Sequence, residues 1–300
     1  MPVTERLGAV DDRTAGEARE LWDRAHAADE VAAVSEAFAL AVGRHREGVV
    51  HVLRRDDAGQ LVGYAQVASV GTPDAVAELV VDPAARRQGH GRALLDAVVE
   101  EGARSVWAHG DLPPARAFAT AAGLERTRSL HLMTRPLGAD DARDPALPAG
   151  YSVRAFEPGR DDEDWVRLNA AAFASHPEQG RLTVADLRER MDQPWFDPAG
   201  FLLVERDGRV VAFHWTKVEK GEARHGNGTG EVYVVGVDPD EQGRGLGGPL
   251  TALGLAHLAR RGLTEVHLYV DGDNTAARRT YERLGFADLA VDAQYSVPHA

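Results

Sequence analysis

The residue pattern best suited to chemistry occurs twice. An apolar run, Leu79-Val80-Val81, leads into Asp82-Pro83 and then Arg86-Arg87-Gln88-Gly89-His90-Gly91-Arg92. The same order returns as Val235-Gly236-Val237, Asp238-Pro239 and Gln242-Gly243-Arg244-Gly245-Leu246-Gly247-Gly248. Asp82 with Asp238, Gly89 with Gly245, Gly91 with Gly247 and Leu94 with Leu250 all pair at one constant offset. Glycines at alternate positions take Cβ atoms out of the loop, so backbone N–H groups can converge on an anion. The helix that follows adds its unpaired N-terminal amides and the positive end of its dipole. A pyrophosphate suits such a cradle, and Arg86, Arg87, Arg92 and Arg244 add cationic contacts. No Gly-Lys-Ser/Thr is present, which excludes a P-loop. Gly243, Gly245 and Gly248 formally fit the dinucleotide fingerprint, but Gly89 and Gly91 are followed by Leu94 where its third glycine would fall.

Each copy sits in the same order of elements. Residues 138–149 are rich in Pro, Asp and Ala without an apolar period and read as a linker between 1–137 and 150–300. Helical regions open each half, at 14–27 and 31–44, then at 161–174 and 184–191. Hairpins follow at 49–67 and 201–216, the second turning at Asp207-Gly208, a pair that tolerates positive φ. Next come the cassette strand and helix, another strand, a short helix ending at Gly123 or Gly285, and a last strand. This order predicts an α+β layered structure in each half, so the fold is a duplication.

Composition narrows the chemistry. The chain has no cysteine, which rules out disulfides, zinc-thiolate sites and a cysteine nucleophile. Its twelve histidines show no metal-ligand spacing, so no metal is expected. A formal charge of −13 argues against nonspecific nucleic-acid binding. No apolar run is long enough for a membrane span and the N-terminus has no signal-peptide core, so a cytoplasmic protein is expected, and a monomer.

Arg86-x-x-Gly89-x-Gly91 and Gln242-x-x-Gly245-x-Gly247, each after a strand and Asp-Pro, resemble the acetyl-CoA signature of the GCN5-related N-acetyltransferases, the GNAT family. Asn274-x-x-Ala277-x-x-x-Tyr281-Glu-x-x-Gly285-Phe286 resembles a later helix of that family. The resemblance covers nearly the whole chain. It implies two tandem domains, each a mostly antiparallel mixed sheet with helices on both faces. It also implies acetyl-CoA as acetyl donor and an amine as acceptor. Residues 79–81, 87–92, 235–237, 242–248 and Asn274 would then hold the cofactor.

By the same resemblance, Glu231 is the base that takes the amine proton and Tyr281 the acid that protonates the leaving thiolate. The amides of Val235 and Val237 would bind the thioester carbonyl and the pantetheine arm. A bulge is expected at Gly236. The runs His176-Pro177-Glu178-Gln179-Gly180 and Phe213-His214-Trp215-Thr216-Lys217 resemble a tandem branch of the family that acetylates the cysteinyl amine of a cysteinyl-glucosaminyl-inositol. That likeness implies Glu36, Glu178, Lys217 and Glu231 as acceptor-binding residues.

Catalysis is expected in the second half alone. The cassette alignment sets Ala75 opposite Glu231, and Ala119, Thr120 or Ala121 opposite Tyr281; none of these is a useful acid or base. Leu112-Pro113-Pro114 replaces the region of Asn274. The first cassette is expected to bind acetyl-CoA without reaction. Two other readings stay open at this point: acetylation of another amine, such as an aminoglycoside or a protein N-terminus, or a non-catalytic sensor of acetyl-CoA.

Overall fold

The structure, a computed structural model, describes residues 2–174, 176, 179–218 and 228–297. The chain divides into two units: residues 1–130 with 290–300, and residues 131–289.

The first unit contains β1 (Val3–Leu7), α1 (Asp12–Asp29), α2 (Glu36–Ala41), β2 (Val50–Arg55), β3 (Leu61–Ala68) and β4 (Val76–Val81). It continues with α3 (His90–Glu100), β5 (Ser105–Ala108), α4 (Pro113–Ala122) and the start of β6 (Glu125–Pro136). β1 to β4 pair antiparallel in chain order, and β4 pairs parallel with β5. Alternation along β2 sorts the core, as the two faces of a strand require. Val52 packs with Leu94 and Val98 of α3, while Leu53 packs with Ala18 and Leu21 of α1. Helices therefore cover both faces. The segment read as helix from residue 31 becomes helical only at Glu36, because Ser35 is extended at φ −70° and ψ 162°.

The second unit repeats the plan. It contains β7 (Tyr151–Ala155), α5 (Asp162–Ala172), α6 (Val184–Met191), β8 (Phe201–Arg206), β9 (Arg209–Lys217) and β10 (Thr229–Val237). It continues with α7 (Gly247–Arg260), β11 (Glu265–Asp271), α8 (Thr275–Arg283) and the start of β12 (Ala287–Ser296). β7 to β10 are antiparallel and β10 is parallel to β11. Leu203 packs with Trp165 of α5, and its neighbour Val204 packs with Leu250 and Leu253 of α7.

Residues 138–149 are not slack. Ala139–Ala142 form a 3-10 turn, Arg135 grips both oxygens of Asp141 at 2.7 and 2.8 Å, and Arg260 of α7 reaches Asp144 at 2.7 Å. Apolar periodicity does not report such polar fastening. The late residues of β12 add to the first unit, where Ala293–Ser296 pair antiparallel with Ala108–Ser105.

Candidate active site

The two cassettes have the same backbone. Asp82 and Asp238 each accept the N–H two residues on at 3.0 Å, which folds Asp-Pro into a 3-10 turn. Arg86 and Gln242 follow at φ −64° in both. Two positive-φ positions come next: Arg87 (64°) and Gly89 (85°) in the first, Gly243 (75°) and Gly245 (80°) in the second. The helices open at His90 and Gly247, so their N-terminal amides face the loop. The first signature side chain folds back onto its own strand in both copies. Arg86 Nε donates to Val81 O at 3.3 Å, and Gln242 Nε2 to Val237 O at 3.5 Å. Arg86 also grips Asp29 at 2.6 and 2.7 Å, so its charge is spent within the fold. Arg244 is half exposed and 3.3 Å from Glu241.

Beside each cassette two parallel strands part. Pairing of β10 with β11 ends at Val232 with Leu268, while β10 runs on to Val237 and β11 to Asp271. Pairing of β4 with β5 ends at Glu78 with Trp107. Every second amide of residues 233–237 turns to the side that β11 has left. Val235, Gly236 and Val237 occupy this stretch, and Leu79, Val80 and Val81 its counterpart.

The bulge lies at Tyr233, not at Gly236: Val232 opposes Thr216 and Val234 opposes Trp215, leaving Tyr233 over. Tyr233 is held by rings, 5.0 Å from Trp195 and 5.2 Å from Trp215. Its hydroxyl accepts from Arg190 of α6 at 3.1 Å. Gly236 is required for a different reason. A Cβ there would lie 2.7 Å from Phe213 Cζ, so the missing side chain makes room for that ring.

Glu231 and Lys217 are brought together. They are cross-strand partners, with Nζ 3.9 Å from Oε2. Lys217 is buried and lies 5.2 Å from the Trp195 ring and 5.5 Å from that of Tyr233, a cation–π setting. On the other side Glu231 is paired with His267, whose Nε2 is 3.6 Å from the same oxygen. Burial pushes the Glu231 carboxyl up, but the His267 hydrogen bond and the Lys217 charge outweigh it and hold it below the usual 4.5. A carboxylate results, lodged where the strands begin to part. His267, Trp195 and Tyr233 escape a reading of the sequence alone. One signal was present: alternation in Val266-His267-Leu268-Tyr269-Val270 puts His267 on the face away from the apolar residues.

Tyr281 lies on α8 against Phe286, Leu284 and Ala277. Its ring meets Phe286 edge-on at 5.9 Å, and burial pushes the phenol up to about 12. Asn274 caps the same helix through Oδ1, 3.1 Å from the Ala277 amide, which leaves Nδ2 as its donor to a ligand. In the first unit Ala119 takes the place of Tyr281. Both helices end alike, with Leu124 N donating to Ala119 O at 2.9 Å and Phe286 N to Tyr281 O at 3.0 Å. Val76, not Ala75, stands opposite Glu231, because β10 carries the extra residue Tyr233 and β4 does not: Lys217 faces Glu231 where the matching Ala68 faces Val76. Glu36 opens α2 in the first unit. Glu178 lies outside the described residues. Among the described residues, no group of His, Asp and Glu is placed to hold a metal ion, and no helix is long and apolar enough to cross a membrane.

Comparison with known proteins agrees with this geometry. Residues 165–286 match the model of the acetyltransferase (GNAT) family, and residues 46–124 that of an acetyltransferase (GNAT) domain. A mycothiol acetyltransferase of Cellulomonas flavigena is 49% identical, over 99% of this chain and 90% of its own. One of Streptomyces coelicolor is 51% identical, over 88% and 85%. Among solved structures, a tandem GNAT protein from the clavulanic acid biosynthesis pathway superposes with a TM-score of 0.72 at 20% identity, covering 100% of both chains. A GCN5-related N-acetyltransferase from Sphaerobacter thermophilus gives 0.69 at 22% identity, over 98% of this chain and 94% of its own. These two likenesses bear on the fold, which is that of two tandem GNAT domains.

Proposed function

Because the chain belongs to the mycothiol acetyltransferase family, within the GNAT acetyltransferases, we propose that its second unit acetylates the cysteinyl amine of cysteinyl-glucosaminyl-inositol, with acetyl-CoA as donor. The observation that carries this reading is the difference between two otherwise congruent cassettes. Glu231 and Tyr281 accompany one, and Val76 and Ala119 the other. In the proposed division of labour, residues 1–137 bind acetyl-CoA without reaction, 138–149 join the halves, and 150–300 catalyse. The proposed setting is the cytoplasm and the proposed active species a monomer.

The cradle suits acetyl-CoA in charge and shape: two positive-φ residues, a helix N-terminus and parting strands lie in succession. Residues 242–248 and Asn274 would hold the pyrophosphate and its neighbourhood, and the amides of Val235 and Val237 the thioester carbonyl and pantetheine arm. Glu231 accepts a proton from the acceptor ammonium, which frees the nitrogen lone pair. Amides on the open side of β10 stabilise the charge that develops on the carbonyl oxygen. The Tyr281 phenol donates its proton to the departing thiolate and recovers one from the nitrogen of the new amide. Overall one proton leaves with the products. Glu36, Glu178 and Lys217 are the proposed contacts to the acceptor.

The test is a chromatographic assay of CoA release from acetyl-CoA with the purified protein. Release that depends on cysteinyl-glucosaminyl-inositol supports the proposal. Turnover with aminoglycosides or peptide N-termini but not with that conjugate would refute it.

A further inference from the structure

The first unit buries a charged relay around Glu78, whose own counterpart in the second unit, Val234, is apolar. Glu78, in the middle of β4, is only 2% exposed. Its Oε2 accepts the Ser35 N–H at 2.7 Å and lies 3.3 Å from His109 Nε2. His109 Nδ1 is 3.0 Å from Asp292 Oδ2, and Asp292 Oδ1 accepts the Gly110 N–H at 2.7 Å. Gly110 is at φ +72°, and a Cβ there would lie 2.6 Å from Val31 Cγ1. Glycine thus lets the loop before α2 close on the turn that carries His109. Val34 and Phe38 pack on Val76, two residues before Glu78 on the same face of β4.

Strand register shows what the relay replaces. His51, Gln66 and Glu78 are successive neighbours across β2, β3 and β4. The cassette alignment sets Glu78 against Val234, and in the second unit Phe201, Trp215 and Val234 form the matching row. There Phe201 and Trp215 stack at 4.3 Å in a buried aromatic core. A buried carboxylate is costly unless paired, so apolar residues would hold this sheet at least as well. What the charged row adds is a fixed point for α2. That helix has no side-chain cap of its own, and Glu78 holds the N–H of its N-cap residue, Ser35.

We infer that Asp292, His109 and Glu78 are positioning residues that set the start of α2, and hence Glu36, for acceptor binding. This rests on the reading of Glu36 as an acceptor contact.

The test is steady-state kinetics of the full chain carrying Glu78→Gln or His109→Gln, beside Glu36→Gln, with acetyl-CoA and cysteinyl-glucosaminyl-inositol. A lost hydrogen bond to a buried charge should raise the acceptor KM by about tenfold or more, with kcat and the acetyl-CoA KM little changed. A merely structural role would lower the active fraction and leave both KM values alone, and that result, or unchanged kinetics, would overturn the inference. If Glu36→Gln leaves the acceptor KM unchanged, the reading of Glu36 fails instead. Hydrogen exchange at Ser35 then decides the relay: faster exchange in Glu78→Gln supports it, and unchanged exchange removes it.

Discussion

Lys217 and Glu231 face each other across β9 and β10, Nζ to Oε2 at 3.9 Å, with His267 3.6 Å from the same oxygen on the far side. The ammonium of Lys217 and the imidazole of His267 beside one carboxylate oxygen favour the ionised form, so this candidate base is charged before the acceptor arrives. Its pH dependence follows. With the carboxyl held below 4.5, the loss of rate that comes from protonating Glu231 falls in the acid range beneath that value. Replacing His267 by Gln should move this limb upward in a pH profile of kcat/KM. An unchanged limb would remove His267 as its cause.

Gly236 makes a structural prediction. A methyl group there meets the Phe213 ring, with Cζ at 2.7 Å, inside a cluster that also holds Trp165, Phe201 and Trp215. Overpacking of this kind costs about 1–3 kcal/mol. Gly236→Ala should therefore lower the midpoint of denaturant unfolding, while Gly248→Ala, with nothing within 4 Å, should not. Equal midpoints for the two variants would contradict the packing argument.

His109 sets a pH window for stability. Burial alone would lower its pKa, but Glu78 and Asp292 outweigh burial and raise it to about 10 from 6.5. A raised folded-state value means that the stabilisation is fully present below 6.5 and is lost as pH rises through about 10. The stability gap between wild type and His109→Gln should shrink across that interval in urea titrations. A gap that stays constant would mean that the imidazole is not charged between its carboxylates.

Much of this was legible in the residues, because local backbone demands have local signatures. Asp-Pro and the spaced glycines specify a 3-10 turn and left-handed positions, and both cassettes have them. The element order followed from alternation and turn residues, and the tandem GNAT fold from the resemblance carried by the two glycine signatures. Features set by pairing across strands were not legible. The bulge falls at Tyr233 because β9 and β10 slip register where Trp195 and Trp215 take up its ring, and no glycine marks that place. Arg87 stands at positive φ where the second copy has Gly243, so residue type alone understates how alike the loops are. Glu78 was visible as a lone acid in the apolar run Val76–Val81, but its partners come from residues 35, 109 and 292.

In the proposed division of labour, acetyl transfer occurs only where Glu231 and Tyr281 accompany a cassette. The most direct measurement is product formation by the full chain carrying both Glu231→Gln and Tyr281→Phe, under saturating acetyl-CoA and cysteinyl-glucosaminyl-inositol. A general base and a general acid are each worth roughly a hundredfold or more, so the rate should fall by about ten-thousandfold or more while acetyl-CoA still binds. Product formed at close to the wild-type rate, with the first unit intact, would contradict the account.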